Sequence, residues 1–307
     1  MEVRDIFAMR KDGKVEEAYK AISEIYATHH GPHTNLCMFW CCSDMLKLYV
    51  KEKNAKAARR MLGLMVKIYP TIDDNDHRAA RAISKGALAM DKLVEDFNLV
   101  YFMDMFNKLT DEDWKPYIVN NHQVPSLGQQ IANHLLKDIP TRDEDYLLKV
   151  MDLFRIAMQK APRYKLNLRH YAQLHSRLGN SDKAIETYKK LLLRYHDSYL
   201  YAELAKLITD NTQKIALYCQ AILHQPREEF RAKYHLELAL LLTKQNLLSR
   251  AAYEMNQCVT IRQKYNRPIS PFIQRQIDRV KGAVPVSNID EQALYNRSKI
   301  VVDMLLK

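Results

Sequence analysis

Six residues close together in the sequence have the types that bind soft metals: His29, His30, His33, Cys37, Cys41 and Cys42. Cys37 and Cys41 are four apart, which places them on one face of a helix. Thiolate sulfur and imidazole nitrogen are common zinc ligands, and a histidine from the preceding turn would complete such a set. The same residues also read as ordinary structure. Cysteine is among the most buried residue types, and the histidines would form a polar turn around Gly31-Pro32. The second reading is adopted here. No metal and no cofactor is expected, and His33, Cys37 and Cys41 are the residues that would hold a metal if one bound.

Charge gives a better lead. From Leu153 to Ser181 the chain has no acidic residue, while Arg155, Lys160, Arg163, Lys165, Arg169 and Arg177 are basic. His170 and His175 lie among them, with Tyr164 and Tyr171. A second basic run holds Arg262, Lys264, Arg267, Arg275, Arg279 and Lys281, and a third holds Lys51, Lys53, Lys56, Arg59 and Arg60. Cations with interleaved aromatics suit a phosphate backbone with stacked bases. They suit an acidic peptide equally well. A charge run is also a common solvated helix face with no partner. The formal net charge of +11 favours an acidic partner of some kind without choosing among them.

Local catalytic signatures are missing. No pair of glycines has the separation of a phosphate-binding loop, and there is no His-Glu-x-x-His, no nucleophile elbow and no pair of Cys-x-x-Cys motifs. No apolar run approaches the ~18 residues that span a bilayer. The first residues, Met-Glu-Val-Arg-Asp, lack the basic-then-apolar pattern of a secretory signal. Five cysteines do not make a disulfide framework. The reading is a non-enzymatic protein of a reducing cytoplasm.

The elements that position these residues are helical. Only 7 glycines occur in 307 residues, too few for folds rich in tight turns. The clearest unit runs from Lys165 to about His196. Leu168, Tyr171, Ala172 and His175 stripe its first helix, Gly179 makes the turn, and a second helix begins near Ser181, a plausible N-cap. Ala184, Tyr188 and Leu191 form the inner face of that helix, and a small residue at 184 lets the two helices approach closely. The same grammar appears at Gly13, Ala18, Ile22 and Ile25; at Met45, Tyr49, Ala58, Leu62, Met65 and Pro70; at Phe154, Ala157 and Pro162; at Tyr201, Ala202, Ala205, Tyr218, Ala221 and Pro226; and at Leu238, Ala239, Leu242, Asn246, Ala251, Met255 and Cys258. Ala184 and Ala251 lie 67 residues apart with one unit between them, a period of 33 to 34.

These residues resemble the tetratricopeptide (TPR) repeat family over about three quarters of the chain. The match is most specific in the units ending at Pro70, His196 and Pro226, and the family's early tryptophan is absent from every unit. The resemblance implies an all-α fold, a right-handed superhelix of antiparallel helix pairs, and binding of protein partners as the usual role. It also implies that first helices line a concave wall, so that Arg169 would lie beside Tyr199 and Glu203 of the next unit. The residues expected to bind a partner are Arg163, Tyr164, Lys165, Arg169, Tyr171 and Tyr199. Lys56, Arg59, Arg60, Arg275 and Arg279 form a secondary basic set. The other tyrosines, such as Tyr188, Tyr218 and Tyr234, read as packing between helices.

The stretch from Thr71 to Pro125 departs from the repeat. Asp73, Asp74 and Asp76 suit a helix N-terminus. Helices are expected over His77–Met90 and Val94–Lys108, followed by an irregular connection packed under Trp114. After Arg267-Pro268, helices are expected near Phe272–Lys281 and Ile289–Leu306. The last is either a cap that seals the array or a link to a further domain. The expected organisation is helical hairpins over 1–110, the connection over 111–125, repeats over 126–266 and capping helices over 267–307. The leading expectation is a scaffold that binds an acidic protein segment in a basic groove. A nucleic-acid-associated protein and a regulatory module of an enzyme are the alternatives.

Overall fold

The structure, a computed structural model, describes residues 1–136, 143–160 and 164–307, with only the backbone course at 122 and 123. Pro162 and Arg163 lie outside the described residues. The fold class is all-α: the described residues form consecutive helices with one small hairpin, and the chain divides into two compact units, Met1–Asn167 and Leu168–Lys307.

The first unit opens with α1 (Val3–Lys11), α2 (Val15–Tyr26), α3 (Pro32–Lys51), α4 (Ala55–Ile68) and α5 (Arg78–Leu93). Gly13 closes α1 at φ +81°, a conformation that glycine adopts without penalty. Ala18, Ile22, Ala58, Leu62 and Met65 are buried, as their spacing requires. α5 packs on both α3 and α4. Its start is fixed by Asp74, whose two carboxylate oxygens accept from the Ala79 and Ala80 amides at 2.7 and 2.9 Å. An anion placed on orphan N–H groups is the arrangement the helix dipole favours.

Beyond α5 the helix expected over Val94–Lys108 is broken. Val94 is extended, a 3-10 turn covers Leu99–Phe102, and only Met103–Phe106 is α-helical (α6). The cause is packing. Phe97, Leu99, Phe102 and Phe106 are all buried, a spacing no single helix face provides, and the Phe97 and Phe102 rings stack 5.6 Å apart. The following connection contains a β-hairpin, β1 (Tyr117–Val119) with β2 (His122–Val124). Asn120 and Asn121 turn it with φ of 49° and 60°, the pair of positive values that a two-residue hairpin needs. Trp114 is buried as expected, and α7 (Leu127–Leu135) sits directly on its indole. α8 (Glu144–Lys160) completes the unit.

The boundary between units falls within α9 (Lys165–Arg177). The second unit continues with α10 (Ser181–Leu192), α11 (Ser198–Leu207), α12 (Asn211–Leu223), α13 (Glu228–Lys244), α14 (Leu248–Lys264), α15 (Pro271–Val280) and α16 (Asn288–Leu306). Gly179 has φ +75°, and the N-cap of α10 is Asn180, one residue before the expected Ser181. Ala184 and Ala251 are fully buried at their helix contacts. α16 packs on α12 and α10 and bonds to α14, so it seals a side of the unit.

That attachment is polar at its centre. Glu254 of α14 and Glu291 of α16 are both sealed from solvent. His235 Nδ1 lies 2.6 Å from Glu254 Oε2, the Tyr295 hydroxyl donates to Glu254 Oε1, and Arg250 Nη1 donates to Glu291 Oε2 at 2.7 Å. Gln220 donates to the Ser298 hydroxyl at 2.8 Å alongside. Burial and the neighbouring Glu254 push the Glu291 carboxyl up to about 7, against the opposing pull of Arg250.

Two outcomes follow from this packing. A Cβ added at Gly128 would meet the Trp114 ring at 2.4 Å, so Gly128→Ala should lower stability by about 1–3 kcal/mol in urea unfolding. Gly63→Ala, with open space on its helix, should be neutral or mildly stabilising in the same assay. The Glu291 carboxyl is held above its ordinary value in the folded state. The native protein therefore binds the proton more tightly, and its contribution is present below pH 4.5 and lost as pH rises through about 7. Glu291→Gln, which mimics the protonated form, should flatten the decline of Tm across that window.

Candidate functional site

Arg155, Lys160 and Arg169 of the acid-free run each pair with an acid that lies outside the run. Arg169 of α9 meets Glu203 of α11: its Nε lies 3.1 and 3.0 Å from the two carboxylate oxygens, and its Nη2 also donates to Oε1. Tyr188 donates to the same carboxylate at 3.0 Å, and Gln173 at 3.3 Å. The Arg169 guanidinium also lies 4.5 Å from the Tyr199 ring centroid. This is the neighbourhood expected for Arg169, and it satisfies the guanidinium internally. Arg155 pairs with Asp152 and Lys160 with Asp111. His170 is buried, and desolvation together with Arg169 pushes it down to about 3, so it adds no positive charge at neutral pH.

The remaining candidates are dispersed. Tyr164, Lys165, Tyr171 and Tyr199 are half-buried rather than open. Tyr171 meets His175 edge-on at 4.3 Å. Lys56, Arg59 and Arg60 lie exposed on α4 of the first unit, whereas Arg275 and Arg279 lie exposed on α15 of the second. In the other basic runs, Lys264 pairs with Glu228 and Arg267 with Glu229. Cys37 and Cys41 are fully buried in the core, while His33 is exposed at the start of α3. Among the described residues no group of three His, Cys, Asp or Glu side chains is placed to hold a metal ion.

The structure instead brings together a groove in the first unit that the basic runs do not include. One cavity of about 460 Å³ lies between α3 and α5. Trp40, Leu46 and Val50 of α3 and Ala82, Gly86 and Ala89 of α5 form its apolar lining, with Lys47, Arg78, Arg81 and Lys85 around it. A second cavity of about 380 Å³ shares Arg81, Lys85 and Ala89 and is bounded by Asp113, Lys115, Tyr117 and the start of α7. α5 is common to both.

Several of these cations are already matched. Arg81 Nε lies 2.6 Å from the buried Asp113 carboxylate. Lys47 shares Asp44 with Arg10, and Lys115 pairs with Glu112. Arg78 pairs with Asp76, both largely in water, where such a pair is weak. Lys85 has no carboxylate partner among the described residues. Burial, Arg81 and Lys47 all push its amine below the ordinary lysine value, with Asp113 opposing. Among the described residues, Lys92 donates only to the Gln130 side-chain oxygen, at 3.3 Å. The signal for this groove was present in the sequence as the spacing Arg78, Arg81, Lys85, Lys92 on one helix face. The acids at 73, 74 and 76 masked it as a basic stretch. Cations around an apolar floor can hold carboxylates and aliphatic groups together.

Comparison with known proteins agrees with the architecture. Residues 169–298 match the family model described as a domain of unknown function, DUF7017. No curated protein sequence matches the chain. The C-terminal part of a TPR repeat-containing protein from Cytophaga hutchinsonii is similar in structure, with a TM-score of 0.50 at 11% identity, covering 90% of this chain and 99% of that one. Weaker likenesses are to the TPR2AB domain of yeast Sti1 in complex with pHSP90 (TM-score 0.35, 12% identity, 91% and 96% covered) and to the quorum sensor NprR of B. thuringiensis in its apo form (TM-score 0.39, 11% identity, 99% and 97% covered). The first likeness and the repeat pattern together define the fold as TPR-like helical hairpins. No described helix is long and apolar enough to cross a membrane.

The Arg169 cluster makes a specific demand on stability. Arg169→Ala leaves the partly buried Glu203 carboxylate without its main donor and should cost about 2 kcal/mol. A double-mutant cycle with Glu203→Ala, read by thermal unfolding, should recover most of that loss as coupling.

Proposed function

We propose that this protein is a non-catalytic adaptor that holds an acidic protein segment in the groove along α5. The observation that carries this reading is the pair Lys85 and Lys92, two cations without carboxylate partners among the described residues, beside an apolar floor lined by Trp40, Leu46 and Val50. A carboxylate entering there gains a charge-assisted hydrogen bond and relieves the mutual repulsion of Lys85, Arg81 and Lys47. Aliphatic side chains of the same segment would cover the apolar floor. The TPR-like fold supports a partner-binding role by analogy only. The residues lining the two cavities include no cysteine and no histidine; of their two serines, Ser43 is buried and Ser126 caps α7, which favours binding over reaction. Arg169, Tyr188, Tyr199 and Glu203 act in this reading as a joint between α9, α10 and α11, not as partner contacts.

The test is fluorescence anisotropy with a labelled twelve-residue peptide of mixed glutamate and leucine, beside a neutral peptide of glutamine and leucine. The wild-type chain should bind the acidic peptide and release it as salt rises. Lys85→Glu combined with Lys92→Glu should weaken binding about tenfold to a hundredfold without lowering Tm, since neither side chain has a buried partner to lose. Unchanged affinity in the double variant would remove the groove from the reading. A single-stranded oligonucleotide that binds more tightly than the peptide, and is lost in the same variant, would reassign the groove to nucleic acid.

A further inference from the structure

Arg78, Lys85 and Lys92 stand at intervals of seven residues along α5. Seven residues of α-helix rise about 10 Å and return nearly to the same face, drifting by about 20°. The three cations therefore form a ladder with rungs about 10 Å apart, a spacing fixed by the helix. The ladder borders both cavities: Arg78 and Lys85 line the first, and Lys85 and Lys92 line the second. Arg81, which lies between the first two rungs, is held by Asp113 and stands outside the ladder.

The two cavities, about 460 and 380 Å³, adjoin along α5 and share Arg81, Lys85 and Ala89, so an extended chain that follows α5 has a cavity for its side chains beside each pair of rungs. A polyproline-type chain rises about 3.1 Å per residue with three residues per turn, so every third side chain lies on one face about 9 Å from the last. That repeat nearly matches the ladder.

Resting on the acidic-segment reading above, we propose that the α5 groove selects an extended segment carrying an acidic residue at every third position, each carboxylate meeting one of Arg78, Lys85 and Lys92. Lys85 is the central rung. Its partly desolvated amine gains most from a carboxylate, because Arg81 and Lys47 already crowd it with like charge. Asp76 on Arg78 is an exposed and exchangeable occupant of the first rung. Gln130 marks the third rung, where its side-chain oxygen already accepts from Lys92.

Two end-blocked peptides of identical composition and net charge separate register from bulk charge: four repeats of Glu-Pro-Pro, and four glutamates followed by eight prolines. Affinities are read by anisotropy against the intact chain, with the glutamate–leucine peptide as reference. The repeat peptide should bind at least tenfold more tightly than the block peptide. Lys85→Gln and Lys92→Gln should each weaken the repeat peptide severalfold and leave the block peptide nearly unchanged, and circular dichroism should show both variants folded. Equal affinity of the two proline peptides overturns the register and leaves the acidic groove standing. Binding of the reference peptide alone also overturns it. Failure of all three peptides to bind overturns both readings together.

Discussion

Asp113 is almost sealed from water, and two separate parts of the first unit, the turn at Thr110 and α5, close around it. One carboxylate oxygen accepts from the Thr110 amide and hydroxyl, which turns the chain into the 3-10 segment ending at Trp114. The other faces Arg81 on α5 at 2.6 Å. Arg81 is half exposed but Asp113 is not, so loss of the guanidinium would strand a buried carboxylate, and this contact ties the irregular connection to α5. The wall between the two cavities is built at that point. With Arg81 consumed there, the positive charge left for a partner is displaced along α5 to Lys85 and Lys92. The position of the hairpin follows as well, because Lys115 and Tyr117 begin directly after the anchored turn.

Much of the fold was legible because its determinants are local. The turn glycines Gly13 and Gly179, the small contacts at Ala18, Ala58, Ala184 and Ala251, and the 33–34-residue period each report on neighbouring helices. The irregular middle was less legible. Phe97, Leu99, Phe102 and Phe106 read as a helix by hydropathy, yet their burial requires the chain to turn between them, and that requirement comes from the elements they pack on. The hairpin had a signal in the pair Asn120-Asn121 between Tyr-Ile-Val and His-Gln-Val. The candidate site was the least legible part. Charge along a sequence differs from charge in space: Glu203 lies 34 positions from Arg169 and cancels it, while acids beside Arg78 in sequence leave Lys85 and Lys92 without carboxylate partners among the described residues.

The second unit solves a different problem. Its last helix, α16, carries exposed apolar residues such as Ile289, Ile300 and Met304 and relatively few fully buried ones. Burial of Tyr295 and Val302 gives it grip, and two sets of bonds give it register: His235 and Tyr295 on Glu254, and Arg250 on Glu291. A polar cluster is a stricter template than an apolar one, since a slip of one residue would strand two buried carboxyls without donors. The family-model match at residues 169–298 spans this whole cluster together with Arg169 and Glu203.

All five cysteines are buried, three on α3 of the first unit and two in the second, on α12 and α14. Burial raises the Cys42, Cys219 and Cys258 thiols further from the reactive thiolate form. An alkylating reagent would therefore reach them only when the surrounding helices separate. Mass spectrometry of the modified peptides would assign each event to its own unit. The chain thus carries an internal clock for breathing in each half, readable without any added label.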